Sequence, residues 1–368
     1  RVNIQKQINL LSKKLNMKRK NLTATKKAKK NNLQLNENKT LNFYLKFKSN
    51  IIKVIKKQPF AVAVSGGSDS LCLAYFCKIF SSENKSKMHV LIVDHMLRKE
   101  SSKEAIKVSR ILKKRKINSK ILKWKGTIPV SNIQKNARDM RYSLIASYCL
   151  KKNIKYLMTA HHEDDQIENF FIRLLRGSGL TGLSSMSEST KLNDNIKVIR
   201  PFLNLKKKNL KFVTLSFFKT YIKDPSNDDE KFLRVRIRKY RSIMEKEGLH
   251  TSKTIKTINN LLSANKALNY YKNKALQKHV SFLSKNKCLI NKKIFSDEAG
   301  EIIFKSFSDL LSLVSGQYYP PRSKKILNLI NFIKKKKNHK STLGGCIIEK
   351  NDSFISISKE QKVKKMSA

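Results

Sequence analysis

The segment Val64-Ser65-Gly66-Gly67-Ser68-Asp69-Ser70 carries the residue types that bind a chain of phosphates. Two adjacent glycines reach backbone angles closed to other residues and let main-chain N–H groups approach an anion, while Ser65, Ser68 and Ser70 add hydroxyl donors. The loop has no GxxxxGK[ST] and so lacks the lysine that reaches a γ-phosphate. Asp69 can instead hold Mg²⁺ at the α- and β-phosphates. Pyrophosphate fits such a cradle. A plain strand-to-helix turn is the structural alternative, and the serines, the aspartate and the flanking apolar run weigh against it.

A second concentration of chemistry is Thr159-Ala160-His161-His162-Glu163-Asp164-Asp165-Gln166-Ile167-Glu168. If helical, His161, Asp165 and Glu168 stand at i, i+4 and i+7 and share one face, whereas Ile167, Phe170, Phe171, Leu174 and Leu175 mark another. Ile172 falls near the acidic stripe, so the separation is imperfect. Two carboxylates facing one cleft could hold Mg²⁺ or a substrate ammonium, and the histidine could move protons. A solvated acidic helix start is the structural alternative. The spacing is not that of HExxH, which disfavours zinc.

Alternating elements must position both segments. Phe60 to Val64, Val90 to Val93, Ser119 to Leu122 and Lys155 to Met158 read as buried strands, with helices expected over 41–55, 71–80, 103–115 and 137–151. Such alternation predicts a parallel sheet covered on both faces, with ligands at the carboxyl ends of its strands. Asp224-Pro225-Ser226-Asn227 is a turn-forming cluster that closes this α/β region. Phe232 to Lys278 reads as basic helices, and a last helix from Ser323 precedes two short strands, Gly344 to Ile348 and Phe354 to Ile357.

Lys and Arg number 80 against 26 Asp and Glu, a formal charge of +54 over 368 residues, which fits a polyanionic partner such as nucleic acid. With 40% hydrophobic residues the chain can bury a core, which excludes disorder throughout. The five cysteines form no CxxC pair, which argues against a disulfide framework or a cysteine zinc site. No apolar run approaches the ~18 residues of a membrane span, and a soluble cytoplasmic protein without membrane partners is expected. The first residues, up to about Asn38, are rich in Lys and Asn and read as a flexible basic arm; the chain starts at Arg1, and Met17 offers an alternative start.

The loop resembles the SGGxDS signature of the PP-loop ATP pyrophosphatases, which adenylate a carbonyl oxygen and release pyrophosphate. His161 to Glu168, followed by Arg173-Leu174-Leu175-Arg176-Gly177-Ser178-Gly179-Leu180-Thr181-Gly182-Leu183, is similar to the HHxxDQxET and RGxGxxGL blocks of the tRNA(Ile)-lysidine synthetase family. Val93-Asp94-His95-Met96-Leu97-Arg98, Ala137 to Tyr142, Arg200-Pro201-Phe202 and Asp224 to Asn227 follow that family's order, with Met96 where Gly or Asn is common and Asn169 where Thr is usual. Thr342 to Cys346 resembles its last domain more loosely, and the basic arm lies outside the match.

The resemblance implies an α/β fold. A PP-loop ATP pyrophosphatase domain over 41–227 would follow an arm over 1–40 and precede a basic helical domain over 228–300 and a small α+β C-terminal domain over 301–368. It implies ATP, Mg²⁺, free L-lysine and a tRNA(Ile) with a CAU anticodon as reactants, with a homodimer as one open assembly. Residues 65–70 would hold ATP and its departing pyrophosphate, and Asp69 would take the metal. Asp165 and Glu168 would bind lysine, with His161 and Arg138 in the same pocket and Arg138 against phosphate. Basic residues after Asn227 would meet RNA: Arg234, Arg236 and Arg238 alternate, and Arg238 and Arg241 at i, i+3 could grip phosphate together. Lys334 to Lys337 reads as a second electrostatic contact or simply as a solvated loop, the latter the better account of any single lysine. A PP-loop tRNA thiolase, a small-molecule PP-loop synthetase and an inactive RNA-binding relative are the rival readings.

Overall fold

The computed structural model describes residues 38–96, 100–126, 133–184, 186–223, 229–317, 320–335 and 338–361. The basic arm up to residue 37, Leu97 and Arg98, Asp224 to Asn227, and Lys336 and Lys337 lie outside the described residues. The chain divides into two compact units, up to Lys256 and from Thr257 onward.

In the first unit the elements are α1 (Asn38–Ile55), β1 (Phe60–Ala63), α2 (Ser68–Asn84), β2 (Met88–Asp94), α3 (Ser101–Lys113), β3 (Ser119–Lys123), α4 (Ile133–Lys151), β4 (Tyr156–Met158), α5 (Glu163–Leu174), α6 (Leu180–Leu183), β5 (Ser189–Lys191), β6 (Lys197–Ile199), α7 (Lys207–Phe218) and α8 (Leu233–Lys246). The sheet runs β3-β2-β1-β4-β6-β5, parallel except for the antiparallel edge strand β5. The short strands β5 and β6 and the helix α7 extend the expected alternation.

Burial on both faces explains the unbroken apolar runs. Phe60 and Val62 of β1 and Val90 and Ile92 of β2 point into a core shared with α1, α2, α3 and α7, whereas Ala61, Leu91 and Leu157 meet Ile145 and Cys149 of α4 on the opposite face. At the centre of the larger core Phe47, Phe76 and Phe202 meet at ring distances of 5.5–5.9 Å.

The second unit contains most of α9 (Thr251–His279) and a five-stranded antiparallel sheet ordered β7-β8-β11-β10-β9. Its elements are β7 (Val280–Ser284), β8 (Lys287–Asn291), α10 (Ile294–Asp297), α11 (Gly300–Ser315), α12 (Ser323–Lys335), β9 (His339–Leu343), β10 (Cys346–Lys350) and β11 (Phe354–Lys359). Alternate residues Cys288, Ile290, Cys346, Ile348, Ile355 and Ile357 are buried with Phe307 and Leu311 of α11 and Ile326 and Ile333 of α12. The boundary expected at residue 300 falls inside this unit, between α10 and α11, and β8 before it pairs with β11 after it. Gly344 and Gly345, expected inside a strand, form the turn between β9 and β10, both at positive φ, as a tight hairpin requires. No described helix is long and apolar enough to cross a membrane.

Phe202 is fully buried between two rings, so Phe202→Ala is expected to cost about 3–5 kcal/mol of unfolding free energy in a urea titration. A loss below about 1 kcal/mol would show that the site closes without the ring.

Candidate active site

The order of the first sheet reverses beside β1: β2 and β3 lie on one side, and β4 and β6 on the other. Loops that leave the carboxyl ends of β1 and β4 therefore diverge around a crevice, where open α/β sheets bind ligands. The loop after β1 is the glycine segment 64–67, and the loop after β4 carries Thr159 to His162. Together with the ends of β2, α3 and α4 they enclose a cavity of about 380 Å³. Ser65, Gly67, Asp69, Ser70, His161 and Asp165 lie on its wall, and Arg138 joins them from α4.

The glycine loop is fixed from several sides. Gly66 stands at φ +91°, and a Cβ there would come within 2.4 Å of Val108 Cγ2. Its carbonyl accepts from Ile222 N at 2.9 Å. Ser70 Oγ accepts from the N–H groups of Ser65 and Gly66, both at 3.2 Å, and donates to Gly67 O at 3.0 Å. Thr214 of α7 donates to Ser68 O at 2.6 Å. What faces the cavity is thus the first turn of α2, whose N–H groups no helical carbonyl can serve. Asp69 stands in that turn, with Ser68 Oγ donating to its Oδ1 at 3.0 Å.

His161 does not share a helical face with Asp165, because α5 starts only at Glu163. It reaches the same cavity from the loop before the helix, with Nδ1 3.0 Å from Thr159 Oγ1. Burial and the nearby Arg200, Arg138 and Arg234 bring its pKa down to about 4 against the opposing pull of Asp165, so the ring is neutral at neutral pH and a weaker base than an exposed imidazole.

His162 was missing from the expected set and sits at the junction of the two segments. It is 3% exposed, its N–H donates to Asp165 Oδ2 at 3.0 Å, and its Nε2 lies 3.5 Å from both Asp69 Oδ2 and Asp165 Oδ2. Burial would lower its pKa, but Asp69, Asp165 and Asp164 reverse this and hold it above the ordinary value. Burial would likewise raise Asp69, and His162, Lys207 and Ser68 hold it below. The only sequence signal was the doubling of the histidine itself.

Glu168 is 2% exposed and takes Arg238 on both oxygens, Nε at 2.6 Å and Nη2 at 3.3 Å. It is not on the cavity wall, which carries Asp165 alone of the two carboxylates expected to hold an amine. Arg241, expected beside Arg238 on phosphate, instead meets Asp164 Oδ1 at 2.5 Å. Arg236 donates to the carbonyls of Glu230 and Lys231, and Arg234 is exposed. Of the apolar face expected on α5, Ile167 and Phe170 are buried whereas Leu174 and Leu175 are exposed. At the other end of the cavity Asp94 binds Ser101, Ser102 and Met96 N, and His95 accepts from Arg141. Met96 stands at φ +54°, which explains why Gly or Asn suits that position better. Among the described residues no group of three or more His, Cys, Asp or Glu side chains could by itself hold a metal ion. A Mg²⁺ here would share Asp69 with the phosphates it accompanies.

Strand order, glycine loop and cavity define a PP-loop nucleotide-splitting domain, and the PP-loop domain family matches residues 7–246. That match enters the segment read as a basic arm. The tRNA(Ile)-lysidine synthase of Orientia tsutsugamushi (strain Boryong) is 35% identical over 307 residues, spanning 82% of this chain and 69% of that protein. That of Wolbachia pipientis wMel is 35% identical over 304 residues, spanning 82% and 70%. The chain belongs to the tRNA(Ile)-lysidine synthase family. Among solved structures, the U34-tRNA thiolase NcsA from Methanococcus maripaludis, with its [4Fe-4S] cluster, aligns with a TM-score of 0.53 at 18% identity. The alignment covers 61% of this chain and 80% of that one, a likeness of fold.

Gly66→Ala is expected to abolish nucleotide use, because the new Cβ must displace the loop or α3; near-wild-type ATP binding in a direct assay would show that the loop is not the cradle. The His162–Asp69 contact has its own pH signature. The share due to His162 is complete below its ordinary value of 6.5 and fades as pH climbs through its raised native value. That of Asp69 is complete above 3.8 and fades as pH falls through its depressed native value. The melting-temperature gap between wild type and His162→Gln is therefore expected to be largest between pH 3.8 and 6.5 and to shrink in alkali. A gap independent of pH would make the ring a neutral filler.

Proposed function

We propose that this chain ligates free L-lysine to carbon 2 of the wobble cytidine of a tRNA(Ile) with a CAU anticodon, with ATP split into AMP and pyrophosphate. The observation that carries the reading is the meeting of the glycine loop and the His161–Asp165 segment in one cavity at the sheet's reversal point, in a chain of this family.

The cytosine O2 attacks the α-phosphorus, the bond to the β-phosphate oxygen breaks, and pyrophosphate leaves. The first-turn N–H groups of α2 meet the growing charge on the leaving group with dipoles already in place. A Mg²⁺ on Asp69 would neutralise phosphate charge there. The ε-amine of lysine then bonds to carbon 2, AMP departs with the former carbonyl oxygen, and the nitrogen gives up a proton. Asp165 supplies the carboxylate on the cavity wall that attracts the amine and lies in reach of its proton, and neutral His161 beside it adds no opposing charge. Arg138 on the cavity wall would face phosphate. Arg234 and the lysines of the basic chain would meet the RNA backbone, and the reaction would take place in the cytoplasm with tRNA and free lysine.

A thiolase reading needs accessible sulfur. All five cysteines are buried and none is on the cavity wall.

Incubation with bulk tRNA, ATP and radiolabelled lysine should leave label on RNA that survives alkaline deacylation. Asp69→Ala should lose pyrophosphate release while tRNA affinity stays within about threefold. Release of orthophosphate alone, or no alkali-stable label from wild type, would overturn the reading.

A further inference from the structure

A line of contacts runs from α8 to the phosphate loop. Arg241 Nη1 donates to Asp164 Oδ1 at 2.5 Å, and Asp164 Oδ2 lies 3.9 Å from His162 Nδ1 while accepting from Lys207 N at 3.3 Å. The same imidazole presents Nε2 to Asp69 and Asp165 at 3.5 Å each. Arg241 is anchored behind: Nε donates to Glu245 Oε1 at 3.1 Å and Nη2 to Thr251 Oγ1 at 2.6 Å.

We infer that Arg241 is a positioning residue for the ATP-splitting step: it fixes Asp164, whose charge orients the His162 ring without a hydrogen bond to Nδ1, and the ring sets the carboxylates of Asp69 and Asp165. The inference rests on the reading of an ATP-splitting site at Asp69. Two carboxylates brought to one point repel, and the shared ring nitrogen is what keeps both aimed at the cavity. Fixed by Arg241 at 3.9 Å from Nδ1, Asp164 is too far to take a hydrogen bond from the ring, and Nε2 is left to the two carboxylates at the site. The guanidinium side chain is only 19% exposed and its three named contacts occupy Nε and both terminal nitrogens, which leaves it poorly placed to meet an RNA phosphate.

The test uses Arg241→Met, Asp164→Asn, their combination and Arg241→Lys in the full chain. It reads tRNA-dependent pyrophosphate release, tRNA affinity across salt concentrations, and the ¹⁵N ring resonances of His162. Each single change is expected to lower kcat about tenfold or more with the tRNA KM within about twofold. The double variant should be no worse than the poorer single one, because both act through one line of contacts. Arg241→Lys should recover part of the rate, and Arg241→Met should shift the His162 resonances in a chain that still melts cooperatively. Multiplying losses, or weaker tRNA binding with a salt slope reduced by about one phosphate contact, would make Arg241 an RNA contact and overturn the proposal. Unmoved His162 resonances in Arg241→Met would overturn it as well. Should wild type release pyrophosphate yet attach no lysine, the functional reading fails while the positioning role is still decided by these variants.

Discussion

Asp69 and Asp165 come from different strand–loop–helix units, and like charges converge only against something that holds them. Here it is a single imidazole nitrogen, 3.5 Å from each. The elements of the first unit can be understood as the frame for that contact. β1 and β4 are hydrogen-bonded neighbours, so the loops that leave them start side by side. The isolated bridge between His162 and Phe202 ties the second loop to the chain beyond β6, where the Phe202 ring enters the aromatic core. The histidine at the site is thereby fastened to the buried aromatic core.

The surroundings are overwhelmingly cationic, which gives the few acids a particular weight. With 26 acidic residues against 80 basic ones, a cluster of four within 163–168 is a marked local reversal of charge. Two of the four are held by arginines of α8, and a third by the ring of His162. Unpaired burial of such groups would be costly, whereas paired they lose little and gain a fixed direction. The arginines also bring α8 against α5, so a helix that looks like a nucleic-acid contact in the sequence is tied by two of its arginines to the acids beside the cavity.

The parallel sheet, its helices and the two segments at its reversal point were legible, because apolar runs with helical stretches between them leave few arrangements open. Three kinds of detail were not. The helical face drawn through His161, Asp165 and Glu168 needs a helix that begins at least two residues earlier; the true start at Glu163 makes His162 the residue that joins Asp69 to Asp165. Charge alone could not separate arginines that meet RNA from arginines that meet Glu168 and Asp164, since a carboxylate and a phosphate ask for the same guanidinium fork. Strands as short as β5, β6 and β9 are three to five residues of mixed polarity, and their identity comes from the partner strand rather than from their own pattern. Gly344 and Gly345 were assigned to the strand they merely introduce, where two consecutive positive-φ residues mark a hairpin turn.

Ser70 shows why a motif states chemistry less directly than it states geometry. Its hydroxyl resembles a phosphate donor, yet it receives the Ser65 and Gly66 N–H groups and gives its proton to Gly67 O. With that hydrogen committed, the oxygen has none to offer an anion. Its work is to curl the backbone so that the first-turn amides of α2 point outward together. A cradle of amides carries partial charges that do not titrate, so its grip on a leaving pyrophosphate would hardly change over the pH range in which the neighbouring imidazoles and carboxylates alter theirs. In the proposed reaction the division of labour would follow from position: fixed dipoles at the glycine loop for the anion that departs, and titratable groups on the α5 side for the amine that arrives.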